Sequence, residues 1–156
     1  MPDPANIETA RGAAARSGSR RVRDVMRRDF ITISREETLF EALQLMRVAR
    51  LRHLAVVSGE VLVGILSYRD LQDELIATLD SESPAARAPG FAKTGLAEHL
   101  RGLPFSIVPD ATLIEAAARL ERLRVGCLPV VEADEKGPRL VGVLTEMDLL
   151  RAAYGV

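Results

Sequence analysis

The sequence predicts an α+β protein that contains two tandem β-α-β-β-α repeats. Residues 22–71 match residues 96–149 along their whole length, with one short insertion around residues 134–138. Each copy has a Thr-x-x-Glu pattern typical of a helix start, and short β-branched runs typical of buried strands. A unit of roughly 60 residues buries too little surface to be stable alone. We therefore expect the two copies to pack on each other through their sheets.

The internal match runs through every element of the repeat, which makes a chance similarity improbable. Matched segments share Thr, Glu, Gly and Asp at equivalent places, in addition to apolar residues. The pairs are 22–26 with 96–100, 31–33 with 105–107, 38–42 with 112–116, 53–57 with 127–131, 62–67 with 140–145, and 70–71 with 148–149.

The first helix of each copy is predicted to begin at a capping box. In Thr38-x-x-Glu41 and Thr112-x-x-Glu115 the Thr hydroxyl accepts from an early helix N–H, and the Glu carboxylate accepts from the N–H of the Thr. Apolar residues then recur at steps of three and four, which places one apolar stripe of each helix against a sheet.

Two strands and a second helix complete each repeat. The apolar runs 54–57 and 61–66 flank the short turn 58–60, and the runs 128–131 and 140–144 flank the longer turn 132–139. These bounds divide the chain into a basic N-terminal arm (1–20), a first repeat (21–79), a Pro- and Gly-containing linker (80–95) and a second repeat (96–156).

The composition argues against nucleic-acid binding by base stacking. Trp is absent and aromatic residues make up 4% of the chain, so stacking platforms for nucleic acid are not expected. Seven arginines crowd residues 11–28, although the formal net charge is -1. This arm is typical of a disordered, solvated tail, while contact with phosphates or anionic lipid is an alternative interpretation.

Cysteine and histidine are too scarce for the common catalytic and metal-binding motifs. Cys127 is the only cysteine, and His53 and His99 are the only histidines. No disulfide can form within the chain, and the sequence lacks a secretion signal and a long apolar run. We therefore expect a cytoplasmic protein that is not an enzyme, binds no metal, requires no cofactor and has no membrane partner.

The strongest local motif is a strand glycine followed by Ser/Thr-x-x-Asp at the start of a helix. It occurs at Gly64 with Ser67 and Asp70, and again at Gly142 with Thr145 and Asp148. The motif can act purely as a helix cap. Alternatively, the hydroxyl and the free N–H groups can bind phosphate while the carboxylate accepts from two ribose hydroxyls. The glycine is compatible with a close backbone approach, a bulge or tight packing.

In this order, twice along residues 22–154, the motifs resemble the cystathionine-beta-synthase (CBS) domains, which occur as tandem pairs called Bateman modules. The resemblance rests on Val22-x-Asp24-x-Met26, the strand at 53–57, and Gly-Ile/Val-Leu-Ser/Thr-x-x-Asp-Leu. It implies two repeats stacked about a pseudo-twofold axis, with two clefts between them. Such pairs often bind AMP, ADP, ATP or S-adenosyl compounds such as S-adenosylmethionine, and they tend to form homodimers.

The resemblance also implies roles for individual residues. Asp70 and Asp148 are the ribose partners, and Ser67 and Thr145 lie near the phosphate. The adenine would lie against apolar positions in each cleft. These positions are Thr32, Ile33, Leu54 and Val56 in the first cleft, and Ile107, Val108, Leu128 and Val130 in the second.

The two predicted sites differ in charge. The first has Arg52, His53 and Arg69, and the second has Cys127 and Met147 at matching places. The arginines can be phosphate ligands or ordinary surface charges. We expect a regulatory adenine-nucleotide sensor that acts through a separate, unidentified partner. A ligand-free homodimeric interaction module with the same fold is the alternative, and a nucleic-acid-associated protein that uses the arm is a third interpretation.

Overall fold

The computed structural model describes residues 20–79, 93–100, 102 and 104–155. Most of the predicted arm and of the predicted linker lies outside these ranges. Within them, the strands are β1 (Thr32–Ser34), β2 (His53–Ser58), β3 (Val61–Ser67), β4 (Cys127–Asp134) and β5 (Gly137–Thr145). The α-helices are α1 (Leu39–Val48), α2 (Tyr68–Leu79), α3 (Leu96–His99), α4 (Leu113–Leu123) and α5 (Glu146–Tyr154), and Val22–Asp24 form a 3₁₀ turn. This alternation confirms the predicted mixed α and β class.

The chain folds into two compact units that do not coincide with the sequence repeats. One unit, here called the first unit, contains Ile31–Pro104 and Glu135–Arg139. The other, the second unit, contains the described residues up to Phe30, Phe105–Asp134 and the described residues from Leu140 onward. Each repeat begins with an opening segment, residues 22–30 in the first repeat and 96–100 in the second. Each opening segment belongs to the unit that contains the rest of the other repeat.

The first unit has the β-α-β-β-α order that the sequence predicts. β1 pairs parallel with β2, with Ile33 opposite Val56, and β2 pairs antiparallel with β3. Its core contains side chains of α1, of the three strands and of α2, and Leu96 of α3 joins the same cluster. A single pairing of Val61 with Arg139 connects β3 to the start of β5.

The second unit repeats this plan with a reduced first strand. Its first strand is a single parallel bridge between Ile107 and Val130, followed by α4, β4, β5 and α5. The core contains residues from these elements, together with Val22 and Met26 from the opening segment of the first repeat. Arg20, which the sequence assigned to the arm, donates to the Ala152 carbonyl at 2.9 Å and so belongs to the folded part.

The opening segments explain both strand glycines. A Cβ at Gly142 would lie 2.6 Å from the Met26 sulfur and 3.1 Å from the Arg27 carbonyl oxygen. A Cβ at Gly64 would collide with the Leu100 side chain. Tight packing against Leu100 therefore accounts for Gly64, and packing against Met26 together with the close approach of the Arg27 backbone accounts for Gly142.

The predicted caps are confirmed, and the second hairpin differs from its prediction. Thr38 with Glu41 and Thr112 with Glu115 form complete capping boxes at the starts of α1 and α4. Residues 132–139, predicted as a long turn, are mostly strand, because β4 continues to Asp134 and β5 begins at Gly137. None of the helices in the described ranges has the length and apolar character that crossing a membrane requires.

Candidate ligand site

The fold brings several predicted site residues of the first repeat to one end of the β2–β3 pair. His53 is the register partner of Ser67, and the Tyr68 N–H donates to the Arg52 carbonyl at 2.9 Å. Arg69 and Asp70 follow within the first turn of α2. Polar groups of the β2–β3 pair and of the first turn of α2 therefore lie close together at this end of the strands.

Asp70 is exposed, and its carboxylate takes no part in the helix cap. The Asp70 N–H donates to the Ser67 hydroxyl at 3.4 Å, so Ser67 alone provides the cap. Within the described ranges the Asp70 carboxylate receives no hydrogen bond and forms no ion pair. Both of its oxygens are thus available to accept hydrogen bonds from a ligand.

Asp148 occupies the matching position in the second repeat and has the opposite character. It is 7% exposed, and one carboxylate oxygen accepts from the Thr145 N–H at 2.9 Å and from the Thr145 hydroxyl at 2.6 Å. The other oxygen accepts from Arg27 Nε at 3.1 Å. The capping interpretation therefore describes Asp148, and each of its two carboxylate oxygens already accepts a hydrogen bond from the protein.

Arg27 is the partner that the sequence interpretation missed. It lies 121 residues from Asp148 in the chain, and it is placed there because the Arg27 and Val143 backbones form an antiparallel bridge. Arg151, one turn along α5, lies 3.8 Å from the same Asp148 oxygen. No local sequence pattern marks Arg27 as a partner of Asp148.

Most of the apolar positions predicted to face adenine are buried in the unit cores. Ile33, Leu54 and Val56 belong to the core of the first unit, and the core of the second unit contains Ile107, Leu128 and Val130. Thr32 is partly exposed, whereas Val108 and Met147 are exposed. The side chains that a ligand can reach without unpacking a core are therefore fewer than the sequence suggested.

The Cys127 side chain is buried. Burial, together with the nearby negative charge of Asp148, raises the pKa of the Cys127 thiol to about 12. The thiol is thus neutral and poorly nucleophilic at ordinary pH. Across the described residues, no three His, Cys, Asp or Glu side chains come together as a potential metal site.

Two repeated units, each with a Ser/Thr-x-x-Asp helix start beside a strand pair, define a tandem-repeat module with a candidate small-ligand site. Comparison with known sequences is specific: the CBS domain family matches residues 22–77 and 103–155. The chain belongs to the CBS domain family, as a pair of such domains. A CBS domain pair is a regulatory module and not a catalytic family.

The chain matches relatives of similar length over most of both chains. A CBS domain-containing protein of Dictyostelium discoideum is 30% identical over 130 residues, which cover 83% of this chain and 88% of the relative. The structure of AcuB, a Vibrio cholerae protein assigned to acetoin utilization, is 33% identical with a TM-score of 0.71, and the match covers 87% of this chain and 92% of AcuB.

Two similar structures contain an adenine nucleotide. The CBS domain of a bacterial CNNM/CorC family Mg²⁺ transporter in complex with ATP has a TM-score of 0.72 and 21% identity, with 96% of this chain and 98% of that chain covered. CBSX2 in complex with AMP has a TM-score of 0.67 and 24% identity, with 86% and 96% covered. At these identities the similarity establishes the common fold.

Proposed function

We propose that this protein is a regulatory module that binds an adenine nucleotide at the first repeat, with Asp70 as the acceptor for the ribose hydroxyls. The observation that carries the proposal is the difference between the two aspartates. Asp70 is exposed with an unused carboxylate, while Asp148 is buried and its carboxylate is occupied. The nucleotide-bound CBS pairs support adenine as the base.

The charges around Asp70 fit a phosphorylated nucleoside. Arg52 and Arg69 are both exposed, and a guanidinium group binds phosphate through paired N–H donors. Because Ser67 lies at the helix start and Asp70 lies in its first turn, one ligand can place a sugar against the carboxylate and a phosphate near the hydroxyl. AMP, ADP, ATP and S-adenosylmethionine are the ligands to test, the last with the sugar but no phosphate.

Binding is tested by ligand-dependent thermal stability of the full chain. A ligand that binds only the folded state at about ten times its Kd stabilises it by roughly 1.4 kcal/mol. For a protein of this size that corresponds to an increase in Tm of about 3–6 °C. Asp70→Asn should lose most of this increase, because the two ribose hydroxyls then lack a charged acceptor. A 2′,3′-dideoxy nucleotide should reproduce the loss with the unmutated protein.

Asp73→Asn is the matched control. Asp73 is also an exposed aspartate of α2, so the substitution removes the same charge from the same helix, outside the Ser67–Asp70 motif. It should leave the ligand-induced increase unchanged. If millimolar concentrations of all four ligands leave the Tm unchanged, the protein is a ligand-free interaction module. In the second repeat the proposal assigns Asp148 to the helix cap and to the ion pair with Arg27.

We also propose that the module forms a homodimer through its helices. Phe40 on α1 and Ile114 on α4 occupy equivalent repeat positions and are 46% and 57% exposed. Ile76 on α2 and Tyr154 on α5 are likewise equivalent and are 55% and 64% exposed. Each unit exposes large apolar side chains at equivalent positions. A symmetric dimer uses the same surface of both subunits, so a second copy of this protein is the partner that fits best.

The dimer is tested by molar mass in solution. Ile114→Glu should convert a dimer to a monomer, because a charge would be buried without a partner at the contact. Val108→Glu, which changes an exposed apolar residue outside the helices, should leave the mass unchanged. A monomeric unmutated protein at micromolar concentration would contradict the homodimer, with no consequence for nucleotide binding.

The output of the module passes to a separate protein in this proposal. A bound nucleotide can alter the activity of that partner only if the module has two conformations and the nucleotide binds them with different affinity. A cytoplasmic location belongs to the same proposal, since Cys127 is a free cysteine and a reducing compartment keeps it so.

A further inference from the structure

We propose that the second unit contains a separate binding site for a small organic anion, a phosphate monoester or a carboxylate with an apolar body. The site is a cavity of about 530 Å³ between α4 and the segment that precedes it. Its lining includes Ser106, Ile107, Val108, Glu115, Arg119 and Arg122. This volume lies in the range of ordinary small-molecule sites.

The cavity contains a cation whose hydrogen-bonding capacity is unused. Arg119 Nε is buried and has no hydrogen-bond partner. Neither Arg119 nor Arg122 forms an ion pair with the described residues. Leaving a buried N–H unsatisfied is unfavourable, and an anion in the cavity would provide the missing acceptor.

The single acidic side chain of the lining does not fill this role. The Glu115 carboxylate accepts from the Thr112 N–H at 2.7 Å and from the Thr112 hydroxyl at 2.9 Å. These hydrogen bonds lower the pKa of Glu115 and hold it at the start of α4. Two arginines therefore face one carboxylate that is already committed to the cap, and the cavity keeps a net positive charge.

The repeat itself supplies an internal comparison. Arg119 and Arg122 match Leu45 and Val48 of α1 in the alignment of the two repeats. Leu45 is a partly buried side chain that packs against the core of the first unit, as expected of a residue that only supports a helix. Val48 is 84% exposed, so the informative difference is at the partly buried position, where the first repeat has Leu45 and the second has the cation Arg119.

The lining also defines the rest of the ligand. Ile107 is part of the core and Val108 is 54% exposed, and together they form an apolar surface beside the charged groups. Ser106 adds a hydroxyl that can donate to a second anionic oxygen. A planar or aliphatic body with one anionic group fits this combination better than an inorganic ion.

The test is a titration of the full-length protein with phenyl phosphate, benzoate and inorganic phosphate, followed by NMR of the arginine Nε–H groups. We expect phenyl phosphate or benzoate to shift the Arg119 resonance and to bind more tightly than inorganic phosphate. Comparison of the two organic probes distinguishes a phosphate ester from a carboxylate as the natural group. No shift with any of the probes at millimolar concentration would overturn the proposal.

Substitutions guided by the other repeat test the residues. Arg119→Leu should weaken binding of the preferred probe by about tenfold or more, the effect of losing a charged hydrogen bond. Arg122→Val should have a smaller effect, since Arg122 is exposed. Arg47→Leu removes a similar exposed charge from α1 and should change nothing.

Two further variants keep the result interpretable. Arg119→Lys retains the charge but lacks the Nε–H donor, and it should bind measurably more weakly even if the leucine variant folds poorly. Affinity equal to that of the unmutated protein would overturn the assignment. Asp70→Asn should leave the probe affinity unchanged, so loss of nucleotide binding at the first repeat and loss of anion binding here are separate outcomes.

Discussion

Substitution of Asp148 by asparagine should destabilise the protein, whereas the same change at Asp70 should not. The asparagine in Asp148→Asn keeps one side-chain oxygen, which can still accept from Thr145. The variant loses the charged hydrogen bond to Arg27. A hydrogen bond to a charged group contributes about 1.5–3 kcal/mol. The Arg27 side chain is 52% exposed, so solvent screens the pair and the lower part of this range applies.

The expected loss is therefore about 1.5–2 kcal/mol, or a decrease in Tm of roughly 3–8 °C for a protein of this size. Asp70→Asn should stay within about 0.5 kcal/mol of the unmutated protein, as exposed substitutions usually do. Urea denaturation followed by circular dichroism measures both values. An Arg27→Met variant and the double variant complete a cycle that isolates the coupling between Arg27 and Asp148.

Equal denaturation midpoints for the two asparagine variants would refute the reasoning, because the buried, paired aspartate and the exposed one would then contribute alike. Additivity of Arg27→Met and Asp148→Asn would contradict it in another way. In that case the 3.1 Å contact between Arg27 and Asp148 would carry no net stabilisation.

Three further outcomes follow from the local geometry. Thr38→Ala and Thr112→Ala should each cost about 1 kcal/mol in urea denaturation without changing nucleotide affinity; loss of binding with unchanged stability would contradict a structural role. Gly142→Ala should destabilise by about 1–3 kcal/mol and more than Gly64→Ala, since a Cβ at Gly142 meets the Arg27 carbonyl oxygen in addition to the Met26 side chain, whereas a Cβ at Gly64 meets only the Leu100 side chain; the reverse order of Tm values would refute this. The Cys127 thiol should react with a disulfide reagent only after unfolding, and rapid labelling of the folded protein at neutral pH would contradict its burial. Because the folded pKa of about 12 exceeds the unfolded value, the stabilising contribution of the neutral thiol should decline as pH rises from about 9 towards 12.

The helix starts and the buried strands could be predicted because their signals are local. A capping box lies within four residues, and the pattern at Thr38 and Thr112 gave the first residues of α1 and α4 correctly. The hairpin between β2 and β3 was equally readable, since Gly59 adopts a φ of 63° between two apolar strands. At these helix starts and at this turn, the residues that stabilise the structure are the same few residues that form the sequence pattern.

The different surroundings of the two aspartates could not be predicted, because the motif itself is the same in the two repeats. Ser67-x-x-Asp70 and Thr145-x-x-Asp148 carry the same information within four residues. What separates them is Arg27, which reaches Asp148 from a distant part of the chain. The contact forms because the opening segment of the first repeat packs in the second unit. The two repeats have similar apolar residues, so the sequence does not show in which unit this segment packs.

The sequence could not separate ligand-facing from core-facing side chains for a related reason. Leu54, Ala55 and Val56 are consecutive and all buried, so β2 is covered on both faces and alternation along the strand does not identify an open face. The cationic cavity was missed because Arg119 and Arg122 are ordinary members of an amphipathic helix in sequence. Only comparison with Leu45 and Val48 shows that the second repeat differs there.

The exchanged opening segments also constrain how the protein is made. Val22 and Met26 are synthesised before the rest of the second unit, and the core that they join is complete only after Leu144 has been synthesised. The first unit in turn waits for Leu96. Neither core is therefore complete until segments of both repeats have been synthesised.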